Sequence, residues 1–168
     1  MPKPSDLIVL ATLAAGAGGA AAIDLCTRRV PNPLTVLLAA SGVVFAAFGV
    51  SGLTIGASLA GFALGLTLML PGHVIGATGA GDVKLFAAVG TLVGPAHIVA
   101  AFFYTAVAGG VMALIVATRR RRLGKTIGGT ARLIVTANAA EIESPLANNR
   151  FAYAPAIAVG SMVAALGL

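Results

Sequence analysis

The sequence contains few of the charged and sulfur-bearing residues on which soluble enzymes rely. It has one cysteine, no tryptophan, and only 11 Lys and Arg and 5 Asp and Glu among 168 residues. A soluble domain carries roughly 25% charged residues, whereas this chain has 10%. A single cysteine excludes an internal disulfide and any zinc site built on cysteine pairs. Because 58% of the residues are hydrophobic and the mean hydropathy is +1.00, the composition also excludes a water-soluble globular enzyme.

The hydrophobic residues fall in long stretches without charge. The stretches free of Asp, Glu, Lys and Arg are 7–23, 30–81, 85–118 and 151–168. A helix needs about 20 apolar residues to cross a bilayer. The first and last stretches therefore hold one span each. The second holds two spans that join at 50–52 and a non-helical connector over 71–80, which includes His73. The third is long for one span and short for two.

The positions of the basic residues decide how many spans there are. Cytoplasmic loops collect Lys and Arg near the ends of spans. Arg28 and Arg29 follow the first span, and a second basic cluster occupies 119–122. The two clusters share a side only if 85–118 holds two spans, with a break at Gly94 and Pro95. The sequence therefore predicts an all-α, polytopic membrane bundle of about six transmembrane helices, with both termini outside the cytoplasm. It forms one integral-membrane domain over 1–168, including a cytoplasmic basic and amphipathic connector at 119–150.

One predicted span carries a packing pattern. Gly61 and Gly65 stand four residues apart in the third span. Small residues at this spacing let two helix backbones approach closely. The pattern predicts a helix-packing face.

Two aspartates lie where predicted spans end or begin. Asp24 ends the first apolar stretch, and Asp82 begins the fourth span. A charge at the bilayer centre costs about 2.5–3.5 kcal/mol even on an insertion scale, which makes such residues functional candidates. The alternative is that both lie at the headgroup level, near Lys84 and the arginines. Residues 83–93 give only ~17 Å of helix, so a helix that reaches the outer face leaves Asp82 below the inner surface.

The two carboxyl groups are predicted at cytoplasmic span ends, where they can share a pocket. If the two groups come within hydrogen-bond reach, the pair retains one proton near neutrality, because two adjacent carboxylates repel each other. It supplies a base that activates water and an acid that binds a carbonyl oxygen, which is the chemistry of aspartic proteolysis. Gly79 and Gly81 precede Asp82 and permit unusual torsions and close backbone approach, so that an extended substrate strand can pair beside it.

Each aspartate lies in a short segment with a distinctive pattern. Residues 24–32 read Asp-Leu-Cys-Thr-Arg-Arg-Val-Pro-Asn, and residues 79–85 read Gly-Ala-Gly-Asp-Val-Lys-Leu. The two segments resemble the signatures of type IV prepilin peptidases, which belong with the GxGD intramembrane aspartyl proteases. The similarity extends over roughly 16–160 of the chain. It implies a membrane-embedded aspartic endopeptidase that cleaves the leader peptide from a prepilin at the cytoplasmic face of a bacterial inner membrane. Catalytic roles are implied for Asp24 and Asp82, and substrate-binding or supporting roles for Asn32, Pro31, Gly79, Gly81 and Lys84.

The single cysteine narrows this resemblance. Larger relatives carry paired Cys-x-x-Cys zinc motifs and also methylate the new N-terminus, whereas this chain has only Cys26. It resembles the short Flp/Tad-pilus branch, which implies peptidase activity without methylation and with no metal or cofactor. The implied partners are a prepilin and the lipid bilayer. Nucleic acid is not expected, because no aromatic residues interleave the basic run at 119–122.

A later segment, 153–157, also looks like the family, and Pro155 within it is interpreted as a helix-start proline. Some relatives carry proline before the tyrosine of this segment, where this chain has Ala152.

Two other functions remain open at this level. The aspartates can serve as a proton relay in a small non-enzymatic transporter, or the chain can be a structural subunit of a secretion complex. Transporters of that kind show paired halves with matching broken spans, and only the Gly94 region indicates a break. The sequence does not reveal the oligomeric state.

Overall fold

A computed structural model of the chain describes residues 4–119 and 153–167. Its helices are α1 (Pro4–Thr27), α2 (Asn32–Ala47), α3 (Ile55–Val74), α4 (Ala80–Arg119) and α5 (Ala154–Ala165). No β-strand occurs in these two ranges, which confirms the prediction of an all-α fold. The helices long and apolar enough to cross a membrane are Ser5–Thr27, Ile55–Val74 and Ala80–Ile115. The chain is therefore a multi-pass membrane bundle, and the count of about six spans stays a prediction.

Helix α4 is broken in its middle, as the Gly-Pro pair predicts. Gly94 has φ 77° and ψ 177°, a conformation outside the helical region that glycine adopts readily. The rings of Phe86 and Phe102 lie 6.2 Å apart, centroid to centroid. In a straight helix the two residues would be ~24 Å apart along the axis. The chain therefore folds back at Gly94, and α4 consists of two packed helical parts.

The first part of α4 is the centre of the bundle. Every residue from 85 to 94 is buried. A helix that is apolar and buried on all sides has no solvent or lipid face of its own. Helices α2, α3 and α5 all pack against α4, and α1 packs mainly against α5.

Close backbone contact joins α3 to α4. A Cβ atom added at Gly61 would overlap the carbonyl of Gly90, and one added at Gly65 would lie 2.9 Å from the carbonyl oxygen of Phe86. The hydroxyl of Ser58 donates to the carbonyl oxygen of Thr91 at 2.8 Å across the same interface. The packing role predicted for Gly61 and Gly65 is confirmed.

The connector predicted at 71–80 is shorter than expected. Helix α3 continues through Pro71 to Val74, and α4 begins at Ala80, so only 75–79 is non-helical. Proline removes one backbone donor but has a helix-compatible φ, and the carbonyl of Pro71 still accepts from the N–H of Ile75 at 3.1 Å. His73 consequently lies in the last turn of α3, where Nδ1 contacts the carbonyl oxygen of Thr78 at 3.1 Å.

Of the other two predicted connections between helices, the structure describes one. Residues 48–54 separate α2 from α3, with positive φ at Gly49 and Gly52, which confirms the joint near 50–52. The connector predicted at 119–150 lies outside the described residues, apart from Arg119 at the end of α4.

Candidate active site

The two signature segments meet at one end of the bundle. The loop between α1 and α2 packs against the first turn of α4, where a Cβ added at Gly81 would lie 3.1 Å from Cβ of Val30. Beside this contact, Nζ of Lys84 donates to Oδ1 of Asn32 at 3.2 Å. Both of these polar side chains are exposed. The segments are thus neighbours in space although about 50 residues separate them in sequence.

Asp82 is held by the start of its own helix. It is 7% exposed and lies in the first turn of α4, and its Oδ2 accepts from the backbone N–H of Gly79 at 3.1 Å. Gly79 precedes the first helical residue, so this bond is the carboxylate half of a capping box. The N-terminal end of a helix dipole also favours negative charge at this point.

Asp24 is held by a different helix. It lies near the end of α1 and is 6% exposed. Its Oδ2 accepts from the backbone N–H of Ala154 at 3.4 Å, and Ala154 is the first residue of α5. The N-terminus of α5 therefore provides Asp24 with the same kind of environment that α4 provides for Asp82.

The two aspartates are buried in the same region of the bundle. Asp24 and Asp82 are the buried carboxylates among the described residues, and the charge of Asp24 reaches Asp82. The third acidic residue of the described ranges, Asp6, is exposed in the first turn of α1. The structure thus brings together the two aspartates that the sequence singled out.

Tyr153 is the residue of this region to which the sequence assigned no role. It is half-buried and immediately precedes α5. Burial raises the pKa of the Tyr153 phenol, and the charge of Asp82 adds to the rise. The sequence signal that points to this region is Pro155. A proline in a first turn marks a helix N-terminus, helix N-termini attract carboxylates, and Tyr153 immediately precedes this helix.

The glycines before Asp82 leave room for neighbouring atoms and do not have positive φ angles. Positive φ occurs at Gly76 and Gly94, for example, but not at Gly79 or Gly81. A Cβ at Gly79 would lie 3.1 Å from Oδ2 of Asp82. Neither glycine thus needs a positive φ in this structure, and pairing of an extended substrate strand with this segment stays a prediction.

Comparison with known proteins agrees with the arrangement of these two segments. The sequence model of the type IV leader peptidase family matches residues 8–114. The chain belongs to the type IV leader peptidase family. The matched range includes both signature segments and both aspartates. Searches of the curated proteins and of the solved structures give no match.

The structure also shows where the other residues singled out in the sequence of this leader peptidase lie. Pro31 is the N-cap residue of α2, with φ −65°, and its carbonyl accepts from the N–H of Thr35 at 3.3 Å. Pro155 lies in the first turn of α5, which confirms its interpretation as a helix-start proline. Cys26 is a free, exposed thiol. Within the described ranges, no group of three His, Cys, Asp or Glu side chains is placed to hold a metal ion.

Proposed function

We propose that this leader peptidase is an aspartic endopeptidase that cleaves Flp-like prepilins at the cytoplasmic face of the inner membrane. The observation that carries the proposal is the burial of Asp24 and Asp82 at one end of the bundle, where the charge of Asp24 reaches Asp82. Two carboxyl groups within hydrogen-bond reach of each other retain a single proton between them, because the ionised forms repel each other, and the proposed mechanism assigns this arrangement to Asp24 and Asp82.

The pair can carry out peptide hydrolysis without further acid or base. The ionised carboxylate takes a proton from water, whose oxygen attacks the scissile carbonyl carbon. The protonated carboxyl group donates to the carbonyl oxygen and stabilises the charge that develops there. The C–N bond then breaks as the leaving amine receives a proton from the pair. Both backbone contacts use Oδ2, of Asp24 and of Asp82, and we assign Oδ1 of each to the contact with water or substrate.

The surroundings of the pair support a peptide substrate that enters from the membrane surface. Lys84 and Asn32 are exposed and joined by a hydrogen bond, and Lys84 lies two residues after Asp82 in α4. We assign these two side chains to binding of the leader peptide next to the cleaved bond. Pro31, Gly79 and Gly81 support the geometry by fixing the start of α2 and by leaving room for Asp82 and Val30.

The basic residues at this end support its cytoplasmic location. Arg28 and Arg29 follow the last residue of α1, and the site lies at the same end of that helix. Loops rich in Lys and Arg remain on the cytoplasmic side. The single cysteine, which leaves no paired motif for a zinc insert, supports the short Flp-type branch as the source of the substrate class.

Cleavage is tested by co-expression with a Flp-type prepilin. We expect a shorter pilin whose new N-terminus, determined by sequencing, immediately precedes the hydrophobic helix. The Asp24→Asn protein, inserted at the wild-type level, is the matched negative control. A prepilin that keeps its leader in the presence of the wild-type protein overturns the proposal for that substrate class.

A further inference from the structure

The ring of Tyr153 occupies a slot on α4 that exists because residue 109 is glycine. A Cβ atom added at Gly109 would lie 2.6 Å from Cε2 and 3.0 Å from the hydroxyl oxygen of Tyr153. Gly109 is buried, whereas its neighbour Gly110 is exposed and has open space where its Cβ would be. Further along the same interface, Gly160 of α5 lies directly against Thr105 of α4. The start of α5 is therefore packed tightly on the second part of α4.

Tyr153 also forms the first turn of α5. Its carbonyl oxygen accepts from the N–H groups of Ala156 at 3.0 Å and of Ile157 at 3.2 Å. The next residue, Ala154, donates its N–H to Asp24. The peptide unit between Tyr153 and Ala154 therefore both begins α5 and holds the Asp24 carboxylate.

We propose that Tyr153 is a positioning residue of the active site, whose ring, seated against Gly109, fixes the first turn of α5 and thereby orients Asp24 toward Asp82. The inference rests on the proposed function, since it assigns Asp24 a catalytic role. The contact that matters is the packing of the ring, so the hydroxyl group is dispensable.

Two adjacent glycines provide a matched test. Gly109→Ala places a methyl group against the Tyr153 ring, whereas Gly110→Ala makes the same change in composition and helix propensity where nothing lies within 4 Å. We expect Gly109→Ala and Tyr153→Ala to lower kcat by roughly 10- to 100-fold, the scale on which a ~1 Å misplacement of reacting groups acts. KM should stay within about twofold, because substrate-binding groups are unchanged. Gly110→Ala and Tyr153→Phe should keep the wild-type kcat.

A double variant separates the contact from general damage to the fold. If Gly109 matters only because it accommodates the Tyr153 ring, then Gly109→Ala should cost nothing more in a Tyr153→Ala background. Residues in direct contact show such non-additivity, and distant ones do not. Additive losses in kcat would overturn the assignment of this contact.

A second measurement does not depend on peptidase activity. Tyr153-Ala154 is the only Tyr-Ala pair in the sequence, because the other tyrosine, Tyr104, precedes Thr105. Labelling with carbonyl-¹³C tyrosine and ¹⁵N alanine therefore selects one amide signal, that of Ala154, in the detergent-solubilised protein. We expect Asp24→Asn and Gly109→Ala each to shift this signal and Gly110→Ala to leave it in place.

The outcomes distinguish this inference from the proposed function. An Ala154 amide signal that keeps its position in Asp24→Asn or in Gly109→Ala overturns the inference, even if the enzyme cleaves prepilin. A wild-type kcat in Gly109→Ala overturns it as well. A wild-type protein without cleavage, whose Ala154 signal responds to both substitutions, supports the positioning of Asp24 and counts against the proposed reaction alone.

Discussion

Asp24 and Asp82 each accept a hydrogen bond from the N-terminus of a helix, Asp82 from that of its own helix and Asp24, which lies near the end of α1, from that of α5. Asp82 accepts from Gly79 before α4, and Asp24 accepts from Ala154 at the start of α5. A helix dipole stabilises an adjacent charge by about 0.3–1 kcal/mol, and by up to ~2 kcal/mol when partly buried. A charge at the bilayer centre costs about 2.5–3.5 kcal/mol. The donors at the two helix termini therefore offset part of the cost of burying the two carboxyl groups at this end of the bundle.

The first prediction concerns the two carboxyl groups as one catalytic unit. Asp24→Asn and Asp82→Asn should each abolish leader cleavage, and the double variant should be no worse than either single one. Asparagine nearly preserves the volume and removes the titrating group, and residues that act as a unit are strongly non-additive. The measurement is the fraction of prepilin processed at equal levels of inserted protein.

Asp6→Asn is the control for this prediction. Asp6 is exposed in the first turn of α1, far along that helix from Asp24. We expect it to keep substantial activity. Near wild-type cleavage by Asp24→Asn would contradict the paired mechanism.

The second prediction concerns Gly79. A Cβ at this position would lie 3.1 Å from Oδ2 of Asp82, so Gly79→Ala should displace the carboxylate by a few tenths of an ångström. We expect kcat to fall by roughly tenfold, because small misplacements of reacting groups are costly. The thermal midpoint in detergent should hardly change, since a single side chain can adjust. Loss of the folded protein instead would show that Gly79 is needed for the turn.

Sequence reasoning found the aspartates but not the residues that hold one of them. The two motifs identified Asp24 and Asp82, and the basic clusters indicated that both belong to one end of the bundle. The donor to Asp24, Ala154, lies 130 residues away in sequence. No local pattern encodes such a contact, because it arises from the packing of α5 between α1 and α4.

At the scale of helices, the sequence rules for glycine and proline predicted the structure correctly where a residue determines its own backbone torsions. The Gly-Pro pair predicted the break at Gly94, and the structure has φ 77° there. The same rules failed at Pro71, which lies inside α3. A proline removes one hydrogen bond and allows the helix to continue or to end. The choice depends on how the following turn packs, which the sequence around Pro71 does not specify.

The third prediction concerns the α3–α4 interface. Gly61→Ala places a methyl group on the carbonyl of Gly90, and backbone cannot move aside as a flexible side chain can. Overpacking of this kind costs about 1–3 kcal/mol. We expect a clearly lower thermal midpoint in detergent for Gly61→Ala, measured by loss of helical signal on heating.

Gly18→Ala in α1 is the matched control for the α3–α4 interface. Nothing lies within 4 Å of the position of its Cβ, and alanine is favoured over glycine in a helix by roughly 0.5–1 kcal/mol. The thermal midpoint should stay the same or rise. An equal fall of the thermal midpoint in Gly61→Ala and Gly18→Ala would contradict a special role for the contact between Gly61 and Gly90 in stability.

At the scale of the whole molecule, the fold of α4 bears on the number of membrane crossings. Gly94 lies against Leu53 in the loop between α2 and α3, because a Cβ there would be 2.9 Å from that side chain. Asp82 and Gly109 are both near Tyr153. A straight helix would separate residues 82 and 109 by ~40 Å. The chain therefore runs from the site to the opposite end of the bundle and returns, which supports the expectation of two crossings by α4.

The last prediction follows from this path. Arg28 and Arg29 follow α1 at the end of the bundle that holds the site, and the positive-inside rule predicts that this side is cytoplasmic. Helix α5 begins at the site beside Asp24 and leads away from it. A reporter fused after Lys125 should therefore behave as cytoplasmic, and one fused after Leu168 as periplasmic. Reporter activity on the same side at both positions would contradict the six-span topology, because α5 would then not carry the chain across the membrane from the end where Asp24 and Asp82 meet.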